Sequence, residues 1–371
     1  MIKVIQDDIK SFIETYEGEK FHALLTDPPY ELGKKGFMNN TWDCTGISFD
    51  KNFWNLFHKV LYPGAFGMAF GGSNTYHRIA CAIEDAGFII HSSIFVWVFS
   101  YGIPKTARFD RRIDRMYGQE GIEQNGTYVA VTEEAQKWSG HRYGQQTLRP
   151  LAEPIIVFQK PYDEDPLDNI TSTGAGALNI AEGSVNGKWP SNFVTECDCD
   201  GGTKHGHDCL CGKLNQQQGS KIANTFYKVV RNTLESADPI YHCNKPSRYE
   251  RESGLNSVEL KDYHFNQFGG GDRYHGHEYS GKVKNNHCAL KPIKLAKHLA
   301  SLLLPPKGFH RKIIVPFAGV MSEAIGAEHA GWDEVYAIEK EESYVEIGKL
   351  RVDYWTNQAK VTQLGLFDTE E

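Results

Sequence analysis

The sequence predicts a doubly wound, Rossmann-like α/β fold, and three observations support this prediction. Short apolar runs alternate with amphipathic helical patterns in the first part of the chain. The same alternation returns near the C-terminus. Between the two lies a long segment rich in Gly, Asn, Ser, Asp and His, which is too long for an ordinary loop. We therefore expect one sheet assembled from both ends of the chain, with an insertion between them.

In the first part of the chain, apolar stretches predict four strands, and turn residues separate them from two helices. The strands are expected over residues 22–26, 65–70, 94–98 and 155–158. One helix is expected over residues 52–60. A second helix has Ser73 or Asn74 as its cap and ends at Gly87. Alternation of this kind predicts parallel strands covered by helices.

The C-terminal part resembles the nucleoside-binding half of a doubly wound fold. A helix and two strands are expected over residues 292–304, 312–315 and 335–338. Gly319 in the turn after the first of these strands lets a ligand approach the backbone, and Ser322 can cap the following helix. Glu339, 20 residues after Gly319, ends the second strand and can bind a ribose. The turn lacks the glycine pattern of a pyrophosphate site, which disfavours NAD and suits S-adenosylmethionine.

Length and composition predict a core domain with an inserted segment. The 371 residues divide into expected segments 1–160, 161–285 and 286–371. No apolar run approaches the roughly 20 residues that a membrane span needs, and the N-terminus lacks a signal-peptide pattern. We expect a cytoplasmic protein without a membrane partner. The net charge of −7 hides two basic stretches, at 104–117 and 281–312, which are either solvated faces or nucleic-acid contacts.

A cluster of cysteines lies in the middle segment. Two Cys-x-Cys pairs supply four candidate ligands for a structural, tetrahedral zinc ion: Cys197, Cys199, Cys209 and Cys211. The usual spacing in such sites is Cys-x-x-Cys, so free thiols in a polar loop remain the alternative.

The most specific motif follows the first apolar strand, at Asp27-Pro28-Pro29-Tyr30. An acid, two prolines and an aromatic ring at a strand end form a rigid slot, because proline fixes the backbone φ angle. Such a slot can accept hydrogen bonds from a planar amino group and stack on its ring. This is the chemistry of methylating an exocyclic amine on a nucleic-acid base.

With these motifs the chain resembles the β-class DNA amino-methyltransferases of phages and restriction-modification systems. The motif at 27–30 comes first, Pro316-Phe317-Ala318-Gly319 comes last, and an insertion separates them, which is the permuted order of that family. The resemblance covers about residues 1–160 and 240–355. It implies a methyltransferase sheet with an inserted target-recognition region, in a bacterial or phage-infected cell. It also implies that Asp27 and the Pro28 carbonyl accept the two amine N–H bonds while Tyr30 stacks on the base.

The resemblance also implies a cofactor site for S-adenosylmethionine. The segment 286–292 is similar to an element that packs against the cofactor's methionine end, and Asp7 stands where the family has an acid that contacts the adenine. The expected cofactor-binding residues are Asp7, Asp27, Lys291, Pro316, Phe317, Ala318, Gly319, Ser322, Glu339 and Lys340.

Double-stranded DNA is the partner that the resemblance implies. The basic residues expected to hold its phosphates are Lys105, Arg108, Arg111, Arg112, Lys282 and Lys284. The segment 161–285 is expected to read the sequence, and the target base to be flipped out of the duplex. A homodimer and a cognate restriction endonuclease are further candidate partners.

Three alternatives to an adenine-N6 enzyme remain open at this point, the most distant being a methyltransferase that acts on a glutamine or an RNA-base amine. Asp27 favours adenine N6, but cytosine-N4 methylation is the alternative within the family. Val315 and Met321 replace a family acid and a family glycine in the cofactor loop, and the element at 287–292 also departs from the family pattern. These departures keep a catalytically silent, nucleic-acid-binding relative as the alternative outside the enzyme class.

Overall fold

The computed structural model describes ten stretches of the chain: residues 1–32, 40–92, 94–99, 102, 104–124, 127–184, 187–195, 241–243, 245–264 and 280–363. It contains two compact units. The larger unit comprises Met1–Ser100, Ala152–Lys261 and Val283–Glu371, and the smaller comprises Tyr101–Leu151 and Asp262–Lys282. The expected functional segments 1–160, 161–285 and 286–371 follow other boundaries and stay a prediction.

The larger unit is built on one sheet. Five parallel strands lie side by side in the order β1 (Ile2–Gln6), β16 (Glu334–Glu339), β15 (Lys312–Pro316), β2 (Phe21–Thr26) and β3 (Leu61–Phe70). Next to β3 lies β10 (Ala152–Gln159), antiparallel to it, which pairs with β4 (Ile89–Ile90) and β5 (Phe95–Val98). Strands β11 (Phe193–Thr195) and β12 (Tyr241–His242) extend the sheet beyond β5. Both ends of the chain thus contribute to one sheet, as the sequence predicts. The expectation of parallel strands is wrong for the strand predicted at 155–158, because β10 is antiparallel to its neighbours.

Helices cover both faces of this sheet, because alternate strand residues point to opposite sides. Leu24 and Ile314 pack on one side with α1 (Ile9–Thr15), α2 (Lys51–Asn55), α3 (Phe57–Val60) and α4 (Tyr76–Asp85). Leu25 and Val315 pack on the other with α10 (Ile293–Leu303) and α11 (Ser322–His329). The doubly wound α/β architecture is therefore confirmed. The described residues of this unit also form the helices α7 (Pro166–Thr173), α8 (Ile180–Gly183), α9 (Arg248–Glu252) and α12 (Glu342–Gln363).

The helix caps expected from the sequence are wrong. Thr75, not Ser73 or Asn74, is the residue before α4, and its hydroxyl donates to the Tyr30 carbonyl instead of capping the helix. Ser322 is the first residue of α11, and Met321 precedes it in the left-handed conformation, at φ 71°. A long-range contact therefore replaces the expected cap at α4, and a left-handed turn replaces it at α11.

The smaller unit is held together by a buried carboxylate. It contains β6 (Lys105–Arg108) paired with β9 (Arg142–Gln146), β7 (Ile122–Gln124) paired with β8 (Thr127–Val129), and helices α5 (Phe109–Met116) and α6 (Glu133–Lys137). Asp114 accepts bonds from the Tyr128 hydroxyl and from the backbone and side chain of Thr132. Although burial acts to raise it, these bonds lower the pKa of Asp114 to about 2. Strands β13 (Lys261–His264) and β14 (Ser280–Val283) form a further small sheet.

The expected zinc cluster lies outside the described residues, since Cys197, Cys199, Cys209 and Cys211 fall between positions 195 and 241. The zinc ion stays a prediction. Within the ten described stretches, no group of three or more His, Cys, Asp or Glu side chains is placed to hold a metal ion. No helix in these stretches is both long and apolar enough to cross a membrane.

Candidate active site

The Asp27-Pro28-Pro29-Tyr30 segment leaves the sheet at the carboxyl end of β2, beside the loop that follows β15. The Thr26 hydroxyl donates to the Pro316 carbonyl at 2.9 Å, which ties the ends of the two strands together. Ligands of open α/β sheets bind at the carboxyl ends of the strands. The expected target-amine loop and the expected cofactor loop therefore meet where such a fold places its ligands.

The Asp27 carboxylate has one occupied and one open oxygen. Its Oδ2 accepts a bond from Lys291 Nζ at 2.7 Å, and Lys291 is only 4% exposed. Its Oδ1 is buried and has no hydrogen-bond partner among the residues that the structure describes. Burial raises the pKa of Asp27, and Lys291 partly counteracts this effect. A buried acceptor without a donor is costly, so this oxygen is placed for a donor from a ligand.

Lys291 lies between two carboxylates and two aromatic rings. Its Nζ is 3.5 Å from Glu153 Oε2, and lies 5.1 Å and 5.0 Å from the ring centres of Tyr30 and Phe70. Burial acts to lower the pKa of Lys291, but the charges of Asp27 and Glu153 outweigh it and raise the pKa. Lys291 therefore stays a cation in the site. The Tyr30 hydroxyl also donates to Glu153 Oε2, at 3.4 Å.

Asp43 holds the loop that follows the prolines. The backbone N–H groups of Tyr30 and Glu31 donate to its Oδ1 at 2.6 Å and 3.0 Å, and that of Leu32 donates to its Oδ2 at 3.1 Å. Asp43 is 1% exposed, so these bonds lie away from solvent. Glu31 is left-handed, at φ 56°, which turns the chain back toward this carboxylate. The loop is thereby fixed in one conformation.

The cofactor loop after β15 is a tight turn built from left-handed residues. Phe317, Gly319 and Met321 have φ angles of 53°, 49° and 71°. The Gly319 N–H donates to Glu339 Oε2 at 2.7 Å, and the Glu341 N–H donates to Glu339 Oε1 at 2.8 Å. Each carboxylate oxygen keeps a second lone pair, so Glu339 can also accept from a hydroxyl of a bound ligand. The turn and this acid fit the nucleoside part of S-adenosylmethionine.

His287 lies directly over Gly319 and explains why a glycine stands there. A Cβ atom at position 319 would lie 2.9 Å from His287 Nε2. The His287 ring is parallel to Trp42, with 6.3 Å between ring centres, and meets the edge of Tyr344 at 4.7 Å. Burial lowers the pKa of His287 to about 3, so the imidazole is neutral. These rings form an aromatic wall beside the cofactor loop.

The first turn of α11 carries a second buried acid near Asp27. Glu323 is 5% exposed, and burial together with the charge of Asp27 raises its pKa to about 7, against the opposing effect of Lys291. Ser322, next to it, accepts a bond from Arg351 Nη1 at 3.2 Å. Arg351 is fully buried and also donates to the Val320 carbonyl. Arg351 thus fixes the junction between the cofactor loop and α11.

The remaining expected cofactor residues lie at the ends of neighbouring strands. Asp7 follows β1, and its N–H donates to the Glu339 carbonyl at 3.0 Å. Pro316 and Ala318 are buried at the start of the cofactor loop. Lys340 points outward, with its side chain 70% exposed and 3.3 Å from Asp8. The structure thus gathers these residues at one edge of the sheet, with Lys340 at its outer margin.

The residues expected to bind DNA are spread over several elements. In the smaller unit, Arg108 pairs with Asp110 at 2.6 Å, Arg111 lies 3.7 Å from Glu123, and the exposed Arg112 donates to the Tyr143 hydroxyl. The Lys105 side chain lies outside the described part of the chain. Lys282 is exposed, and Lys284 donates to the Asn256 carbonyl at 3.4 Å. Their contacts with DNA stay a prediction.

Three acidic residues of the site were not expected from the sequence as members of it. Glu153 follows an irregular stretch, Asp43 lies 13 residues after Tyr30, and Glu323 lies in a helix. A signal was present for Asp43 alone, because it lies close in sequence to the loop whose backbone it binds. Glu153 and Glu323 reach Asp27 only through the strand order of the sheet.

Comparison with known proteins agrees with this geometry. A family model described as DNA methylase matches residues 21–350. The Type II methyltransferase M.HindIII of Haemophilus influenzae is 32% identical over 127 residues, which make up 34% of this chain and 36% of that protein. The match thus spans about a third of the relative's length.

Three solved structures are more distantly similar. The M1.HpyAVI–SAM complex has a TM-score of 0.43 at 13% identity, over 95% of this chain and 100% of that chain. The cytosine-N4-specific PvuII DNA methyltransferase has a TM-score of 0.47 at 12% identity, over 98% and 93%. TTHA0409 of Thermus thermophilus, complexed with S-adenosyl-L-methionine, has a TM-score of 0.42 at 12% identity, over 96% and 94%. Because the DNA methylase model matches most of the sequence, the chain belongs to the DNA methylase family.

Proposed function

We propose that the protein transfers a methyl group from S-adenosylmethionine to the N6 amine of adenine in double-stranded DNA. The observation that carries this proposal is the buried Oδ1 of Asp27 beside the cofactor loop, which has no partner among the described residues. An exocyclic amine supplies the N–H donor that this oxygen lacks. Family membership supports DNA as the carrier of the amine, because the matching family consists of DNA methylases.

The site residues act on an amine whose lone pair is delocalised into its ring. Asp27 and the Pro28 carbonyl accept its two N–H bonds, which favours a tetrahedral nitrogen with a localised lone pair. Pro28 and Pro29 stiffen the loop, and Asp43 holds its backbone, so the acceptors are aimed before the base arrives. Tyr30 stacks on the flipped base. The sulfonium of the bound cofactor supplies an activated methyl group for direct, in-line transfer.

The cofactor is held at the adjacent strand ends. Glu339, the last residue of β16, takes the ribose, and Asp7, which follows β1, takes the adenine. The left-handed turn at 317–321 brings the backbone close to the ligand. His287 and the rings around it cover the turn. Proximity and alignment then supply much of the rate.

Adenine is favoured over cytosine by one residue. Position 27 is an aspartate, whereas cytosine-N4 enzymes more often have serine there. The experiment that tests this combines unmodified DNA, labelled cofactor and mass spectrometry of the digested nucleosides. We expect labelled N6-methyladenine. Labelled N4-methylcytosine would instead identify cytosine as the target. If the DNA acquired no label and the protein bound no cofactor, the protein would be a catalytically silent relative.

A further inference from the structure

Glu153 contacts both Tyr30 and Lys291, and the methyl-transfer chemistry outlined above gives it no task. Its Oε2 accepts from the Tyr30 hydroxyl at 3.4 Å and lies 3.5 Å from Lys291 Nζ. The side chain is 23% exposed and lies near the start of β10. Among the described residues, Lys291 therefore has two counterions, Asp27 and Glu153. Asp27 must also accept a hydrogen bond from the target amine.

Two counterions are needed because the charge of Asp27 changes during transfer. The nitrogen lone pair forms the N–C bond while the carbon–sulfur bond breaks and its electron pair goes to sulfur. The nitrogen then has a surplus proton. When its N–H bond breaks, the electron pair stays on nitrogen and the proton forms an O–H bond with the open Oδ1 of Asp27. Asp27 becomes neutral, and the buried Lys291 loses the charge of its closest partner.

We propose that Glu153 is a positioning residue that acts through Lys291 and Tyr30: it is the counterion of Lys291 while Asp27 holds the proton of the methylated amine. This inference rests on the proposed function. Before transfer, Lys291 neutralises one of two carboxylates, and after transfer it pairs with Glu153 alone. A buried cation thus has a partner in both states, whereas an unpartnered one is strongly unfavourable. Glu153 also keeps the Tyr30 ring in place through the hydroxyl contact.

The charged groups around Asp27 support the assignment of Glu153 as the second counterion, because they determine the pKa of Asp27. They are Lys291 before α10, Glu153 on β10 and Glu323 on α11, and the Tyr30 hydroxyl is a further titratable group beside it. The charge of Glu153 raises the pKa of Asp27, after the larger effect of burial. Glu323, with a pKa of about 7, is neutral in the acidic range and leaves this relation unchanged there. Removing the charge of Glu153 must therefore lower the pKa of Asp27.

The first test requires no turnover. The full-length protein, labelled with carbon-13 at aspartate carboxyl groups, is titrated by NMR, and the Asp27 signal is the one that Asp27→Asn lacks. We expect Asp27 to titrate at lower pH in Glu153→Gln than in the wild type. Glu153→Asp, which keeps the charge, is expected to stay close to the wild type. Equal titration in the three proteins would overturn the proposal.

A matched control separates this effect from the general field of the protein. Glu84→Gln removes an exposed acid from α4, away from the site, and is expected to leave the Asp27 titration unchanged. A shift as large as that of Glu153→Gln would also overturn the proposal.

The second test measures methyl transfer against pH. In Glu153→Gln we expect kcat to fall about tenfold or more, with an unchanged KM for DNA. We also expect the acid limb of the plot of kcat against pH to move to lower pH. A merely structural role would lower activity without moving the limb in this direction. An unchanged kcat and limb would contradict the role of Glu153 while the proposed function stands. A wild type that transfers no methyl group would contradict the proposed function, and the NMR titration would still decide on Glu153.

Discussion

The expected target-amine loop at 27–32 and the cofactor loop at 317–321 follow neighbouring strands, yet they are held in different ways. The segment at 27–32 is fixed by two charged side chains: Asp43, 13 residues after Tyr30, binds its backbone, and Lys291, 264 residues from Asp27, binds Asp27 itself. The turn at 317–321 is shaped by its left-handed residues and is held by the buried side chains of Glu339 and Arg351. An ion pair across most of the chain thus places Asp27, whereas the turn at 317–321 takes its shape from left-handed residues and from contacts within the C-terminal part of the chain.

The comparison predicts the largest effect for Asp27→Ala. Removing the carboxylate leaves the amine without its acceptor, so we expect kcat to fall by about 10²–10³-fold or more. Cofactor binding, measured by isothermal titration calorimetry, should be largely retained because the turn at 317–321 is held independently. The control is Asp85→Ala, an exposed acid of α4. Turnover near the wild-type level in Asp27→Ala would contradict the assigned role.

The second-largest effect is expected for Asp43→Ala, which tests whether the loop at 27–32 depends on the Asp43 carboxylate. Three backbone N–H groups lose their acceptor. We expect the free energy of unfolding, measured by urea titration, to fall by about 2–4 kcal/mol. Asp43→Asn, which keeps one side-chain carbonyl, should lie between this variant and the wild type. If kcat did not change in Asp43→Ala, the loop would not need this support.

A smaller effect is expected for Glu339→Gln, which tests the anchor of the cofactor loop. An amide offers one acceptor oxygen, so either Gly319 or Glu341 loses its acceptor. We expect the affinity for S-adenosylmethionine to fall about tenfold, with kcat at saturating cofactor nearly unchanged. Glu341→Gln, at an exposed neighbouring position, is the control. A loss confined to kcat would place Glu339 in the chemistry instead.

The smallest effect is expected for Gly319→Ala, compared with Gly118→Ala. Both glycines are left-handed, at φ 49° and 67°, so both alanines cost about 1 kcal/mol of backbone strain. Only the Cβ at position 319 meets a neighbour, His287, whereas nothing lies within 4 Å of that at 118. We expect a larger loss of stability for Gly319→Ala in thermal unfolding. Equal losses of stability in the two variants would show that the His287 side chain can make room for the new Cβ atom without cost.

The sequence predicted the strands and helices next to the two motifs, but it did not predict β1, α1, α12 or any element of the smaller unit. Tertiary contacts also set the ends of some predicted elements. Strand β3 begins at Leu61 instead of residue 65, because its pairing with β2 runs through an irregularity at Pro63 and Gly64. Proline and glycine usually indicate a turn, which is why the sequence places the start of the strand after them. Thr75 precedes α4 because its hydroxyl binds the distant Tyr30 carbonyl, and Met321 precedes α11 because it belongs to the left-handed cofactor turn.

The sequence by itself determined the α/β class, the order of the two motifs and the slot that predicts an amine as the target. Those features are local: apolar periodicity, turn residues and a four-residue motif are contiguous in the chain. The tertiary structure alone decided which charges surround the motif. Lys291 lies 264 residues from Asp27, and Glu153 lies 123 residues from Tyr30. Glu153 reaches the site because β10 runs antiparallel to β3 and so begins at the edge of the sheet where β2 ends, and Lys291 reaches it from the segment before α10.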